Sequence, residues 1–164
     1  MANYSYVQLE DAIKALLTTK VSYLPSTKLV SIAPDDGQGG LDTRVLPTPP
    51  FAMLAMAGMT NDLENAASFA DGQVWREQYI WSIYVVAKSF RSAEKLLRGD
   101  ATQIGAYDLI EDVVAALQNA IILADTSPLL VQNAVMVLHR PAIIVYRIDV
   151  IFEQDRSAPT VNCP

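Results

Sequence analysis

Thiol and imidazole chemistry is almost missing from this chain: 164 residues carry one cysteine and one histidine. Cys163 cannot form an internal disulfide, so no oxidising compartment is required, and no metal site can rest on thiolates. His139 lies between Leu138 and Arg140 with no second histidine to complete a metal site, and is read as an ordinary structural or surface residue. Phosphate-loop and nucleophile-elbow signatures are absent; GQGG is not followed by a lysine and Ser/Thr. Carboxylate pairs can be drawn among 18 acids, but no supporting pattern singles one out. The expectation is therefore no catalytic residue, no cofactor, no metal and no enzyme.

Positive charge is also scarce. Twelve basic against 18 acidic residues leave a net charge of -6, which argues against a sequence-independent nucleic-acid binder. The one basic concentration is Lys88, Arg91, Lys95 and Arg98. It is read first as solvated surface, with a docking patch for an acidic partner as the alternative. Apolar runs are broken well before the roughly 18 residues of a membrane span, and the start MANYSYVQLED has no secretory pattern.

What is present suits one domain with one core. Leu9, Ile13, Leu16 and Leu17 predict an amphipathic helix from Gln8 to Thr19, with Glu10 and Asp11 in its first turn. Leu29, Val30 and Ile32 suggest a short strand, and PDDGQGGLD an exposed connector or a partner-binding loop. After three prolines, FAMLAMA is read as a buried strand closed by Gly58, with a short helix as its rival. Met53, Met56 and Met59 are assigned to the core. Residues 59–72 are read as a polar connection with room for one helical turn. Trp75 to Lys88 is the clearest strand, with Trp75, Tyr79, Trp81, Ile83, Val85 and Ala87 on one face. Residues 90–100 fit a short helix or an ordered loop.

A second helix is expected from Ala101 to Ile122, capped by Asp100 and Gln103, with Ile110, Val113, Val114, Leu117 and Ile121 as its apolar stripe. Glu111 and Asp112 are neighbours on its wet face and do not face each other, so they are poor candidates for acid–base work. Two closing strands follow. The division is a domain over residues 1–153 and a short flexible tail, 154–164. The fold class is α/β (α+β): a mixed, largely antiparallel sheet of four or five strands with two main helices on one face. The sheet's other face is left needing cover, a modest reason to expect association.

LEDAIKALL, LPTPPFAMLAMAG, QYIWSIYVVAKS, YDLIEDVVAALQNAI and IIVYRIDVIFEQ, in this order over residues 7–153, resemble the tail terminator proteins of long-tailed bacteriophages, in particular Mu-like contractile-tail phages and prophages. The likeness lies in the order and style of elements. It implies a homohexameric ring on the last ring of the tail tube, which stops polymerisation and meets a neck or head-completion protein. Sheath contacts are also implied, as is a virion location at the neck-proximal end of the tail, with DNA passing unread through the lumen. On that reading Arg76, Tyr84, Lys88, Arg91, Lys95 and Arg98 are assigned to subunit or tube contacts. Glu64, Asp71, Glu111 and Asp112 are assigned to the lumen. The rivals are a head-completion or neck protein, a tube or baseplate ring component, and a small α/β enzyme.

Overall fold

The computed structural model describes residues 3–31, 47–69, 72–88, 93–100, 104–140 and 142–157, with backbone alone at 62–69, 72–73, 93 and 157. The glycine-rich stretch 35–40, Ile32 and the tail from residue 158, Cys163 included, lie outside them.

The first helix, α1 (Tyr6–Lys20), begins two residues earlier than its apolar spacing predicts. Ser5 and Gln8 form a reciprocal capping box: the Gln8 amide donates to Ser5 Oγ, and the Ser5 amide donates to Gln8 Oε1 at 2.8 Å. The earlier start moves Glu10 and Asp11 out of the first turn, which contains no acid. Leu9, Ile13 and Leu17 are fully buried.

A single 3-10 turn (Ser26–Lys28) leads into β1 (Leu29–Ser31), which pairs in parallel with the start of β2 (Phe51–Phe69). The three prolines do precede a strand, but that strand does not close at Gly58. A register shift between Met56 and Gly58 bulges it there, and it runs on to Phe69, paired with β3 (Gly72–Lys88). Residues 59–69, expected as a polar connection, are therefore strand. A bulge re-aims a strand without ending it, and a hairpin arm ladders its backbone whatever its side chains. β3 shows the expected alternation, with Tyr79, Trp81, Ile83, Val85 and Ala87 buried on one face.

Residues 93–98 form the short helix α2 (Ala93–Arg98). The second main helix, α3 (Ala106–Leu117), is shorter at both ends than predicted. Its N-cap is Gly105, without a side-chain cap. Asp100 instead lies 3.5 Å from Lys95, and Gln103 is outside the described residues. A Cβ at Gly105 would collide with the backbone of Leu97, Arg98 and Gly99, so only glycine lets the α2 end and the α3 start come this close. At the far end Asn119 takes a left-handed conformation, φ 62°, and terminates the helix. Ile121 thus leaves the apolar stripe and is 64% exposed. Leu109, which the stripe omitted, is buried.

β4 (Leu130–Arg140) and β5 (Ile143–Ser157) complete a five-stranded sheet of order β1-β2-β3-β5-β4. Every described pairing except β1–β2 is antiparallel. The fold class is as the sequence implies, a mixed and largely antiparallel sheet with its helices packed on one face. Leu9, Ile13 and Leu17 of α1, Leu96 of α2, and Leu109, Val113 and Leu117 of α3 meet Leu54, Trp81, Ile83, Ile148 and Val150 of the sheet. Each such fully buried aliphatic side chain contributes about 1.5–3 kcal/mol relative to exposure. A smaller cluster of Phe51, Met53, Val86 and Val145 lies on the opposite face. Strand pairing continues past residue 153: Gln154 is 1% exposed, and Asp155 and Arg156 pair with Arg76 and Trp75.

Candidate assembly surfaces

β3 has strands on both sides, so it can meet a neighbour only through a face. Arg76, Tyr84 and Lys88 all stand on the face away from the helices, because they alternate with the buried set. They do not form one patch. Arg76 and Lys88 are twelve residues apart, about 40 Å along a strand. Tyr84 sits between them, half-buried and level with Met53 and Arg147.

Lys95 and Arg98 belong to α2, whose Leu96 is buried in the helix-side core. The structure therefore places them across the sheet from Arg76. Both have carboxylates close by: Lys95 is 3.5 Å from Asp100, and Arg98 is 3.9 Å from Glu94. Arg91 and Asp71 lie outside the described residues. Glu64 falls on the distal part of β2, where only backbone is described. Glu111 and Asp112 are exposed on α3. Asp112 accepts a hydrogen bond from the Tyr23 hydroxyl, and burial together with that bond raises the Tyr23 pKa above its ordinary value.

The face away from the helices carries a run of paired polar groups that the sequence pattern did not single out. Arg76 lies 2.9 Å from Asp155 and 3.5 Å from Glu153. Further along, Asp149 is buried and accepts from Ser82 Oγ at 2.6 Å and from Arg147 Nε at 3.1 Å. These carboxylates are engaged in holding rungs together.

A second network closes the helix side near the end of β5. Arg156 Nε is 2.7 Å from Glu77, donates to the Tyr79 hydroxyl at 3.1 Å, and through another nitrogen reaches the Tyr4 carbonyl at 2.8 Å. Trp75 Nε1 and the Tyr79 hydroxyl also donate to Glu77. Tyr79 stacks on Phe152 with ring centroids 5.3 Å apart. Burial, and then the hydrogen bond to Glu77, push the Tyr79 pKa up to about 12.

The feature sequence reasoning missed most completely is β4. Expected only as a closing strand, it is an edge whose residues are almost all exposed. The available signal was composition, since LVQNAVMVL holds no charge and no proline. His139 is exposed near its end. A cleft of about 250 Å³ beside Leu130, lined also by Gln78, Asn119 and Glu153, is smaller than typical ligand pockets of roughly 300–1,000 Å³. Among the described residues no group of three or more His, Cys, Asp or Glu could hold a metal ion. No helix among them is long and apolar enough to cross a membrane.

Residues 5–144 match a protein family described as "Bacteriophage Mu, Gp37". No curated protein matches the chain.

Proposed function

Because the chain belongs to the Bacteriophage Mu Gp37 family, which supports a structural role in a phage tail, we propose that it terminates the tail tube. Copies assemble as a closed ring on the last tube ring, halt its polymerisation and present a surface to neck or head-completion proteins. The observation that carries this reading, beside the family, is the exposed apolar edge strand β4. A closed ring needs a heterologous interface: one patch on each protomer meets a different patch on the next. A sheet with two unlike edges supplies such patches. The tube protein, the neck protein and the sheath are the proposed partners, and six copies the proposed number. Glu111 and Asp112, exposed and acidic, suit a lumen that lets DNA pass without gripping it.

Electron microscopy of the purified protein, alone and mixed with tail tubes, tests the proposal. Rings seated at one tube end are expected. A protein that stays monomeric and never binds tubes refutes it, and one that seats on portal rings instead reassigns it to the neck.

A further inference from the structure

β4 leaves nine of its eleven residues exposed. Leu130, Val135, Met136 and Val137 each remain 43–49% accessible. Val135 pairs with Arg147, on the face away from the helices, and Met136 with Tyr146, on the helix side. The strand thus shows apolar groups on both faces and, among the described residues, an open backbone rim. Natural edge strands that stay solvated are blunted by lysine, proline, inward charge or bulges. Residues 130–138 contain no lysine, proline or charge; β4 has two register shifts, and Val135, Met136 and Val137 nonetheless remain exposed.

The register shows which surface can meet this edge. Ala134 pairs with Ile148, Ile148 with Ile83, Ile83 with Leu54, and Leu54 with Ser31. Ala134 on one edge and Ser31 on what is the other edge among the described residues therefore occupy the same rung and the same face. β4 runs opposite to β1 and β2, so copies related by rotation about an axis along the strands would present these edges in antiparallel sense, with no shift along the axis.

Charge points the same way. The chain is acidic, yet none of its 18 carboxylates falls in Leu29–Ser31, residues 51–61 or Leu130–Arg140; the one that reaches Ser31 from α1, Glu10, is neutralised by Lys14 at 2.5 Å. Two acidic copies can meet along these edges without like-charge repulsion. In area, eleven extended residues span about 37 Å. With both faces and the rim, a strip roughly 20 Å wide covers about 700 Å², close to the roughly 800 Å² per partner of a stable interface.

We infer that β4 is the subunit joint, adding in antiparallel sense to the β1–β2 edge of a second copy of this chain. The inference rests on the ring reading above and names the joint of that ring. The test is a chain carrying S31C and A134C with Cys163→Ser, oxidised mildly and run without reductant. A covalent ladder ending at the closed ring is expected, with either single cysteine giving monomer. A ladder-free double variant, or dimers from A134C alone, overturns the joint; the latter would mean a two-fold β4–β4 contact. In parallel, V135K/M136K should weaken self-association at least tenfold by sedimentation velocity while melting as the wild type does. If that variant still forms rings and caps tubes, the joint is wrong and tube termination stands. If the wild type forms no ring even on tubes, the ring reading fails and the joint fails with it.

Discussion

Replacing Arg156 by methionine separates two views of the chain's end. If residues beyond 153 were a loose tail, the substitution would behave as a surface change, within about 0.5 kcal/mol. In the structure Arg156 is the cation of a largely enclosed pair: its side chain is 21% accessible and that of Glu77 only 9%. Removing one member of a buried pair costs about 3–5 kcal/mol, because the other charge stays desolvated. Glu77 retains Trp75 Nε1 and the Tyr79 hydroxyl as donors, and Arg156 is partly wet, so the lower part of that range applies. Loss of the bond to the Tyr4 carbonyl adds about 1 kcal/mol. The expected destabilisation is about 4 kcal/mol, or a fall in Tm of about 8–16 °C for a domain of this size. Urea unfolding should show a lower midpoint with an unchanged m-value. Adding Glu77→Gln to the methionine variant removes the stranded charge and should recover about half of the loss. A loss under 1 kcal/mol, or strictly additive single variants, would refute the buried-pair account.

Three further outcomes follow from other contacts. Tyr79 has a folded-state pKa of about 12 against an ordinary 10, so its contribution is complete below pH 10 and is lost as pH rises toward 12. Wild-type stability should therefore fall through that window in urea titrations, and Tyr79→Phe should flatten the fall. Gly105→Ala drives a methyl group into the backbone between α2 and α3; about 3 kcal/mol or more should be lost in thermal melts, whereas Gly58→Ala, with its nearest neighbour atom 4.0 Å away, should cost under about 1 kcal/mol. Charge reversal at Lys95 and Arg98 should weaken capping in a tube-binding assay if α2 touches the tube; unchanged capping withdraws those residues from the interface.

Legibility followed the strength of burial. Leu9, Ile13 and Leu17, and the alternation from Tyr79 to Ala87, were readable because each lies against a continuous core and repeats at its element's own period. The hairpin arm beyond Gly58 was not, because its order comes from rung pairing with Tyr79 to Arg76 and not from its own apolar pattern. Helix ends failed for local reasons. Asp100 and Gln103 look like a cap, but the close approach at Gly105 sets where α3 begins. The assigned surface residues fared differently again. Charge clustering in sequence joined Lys88 with Lys95 and Arg98, whereas topology puts the first on one face of the sheet and the others on the opposite side. The edge position of β4 is a property of strand order, which no local pattern encodes.

The sheet order also bears on how the chain folds. β2 with β3, and β4 with β5, are two sequence-local hairpins, each able to close within about 1–10 μs. Within the sheet they are joined along the ladder from Val74–Ser157 to Lys88–Ile143, whose strands are separated in sequence by α2, α3 and β4. Closing that seam brings together residues far apart in the chain, a loop-closure cost that neither hairpin carries alone. Until the seam closes, β3 and β5 each present a second sticky edge. A nascent copy then exposes the same kind of surface at its middle that the finished protein keeps only at its rim.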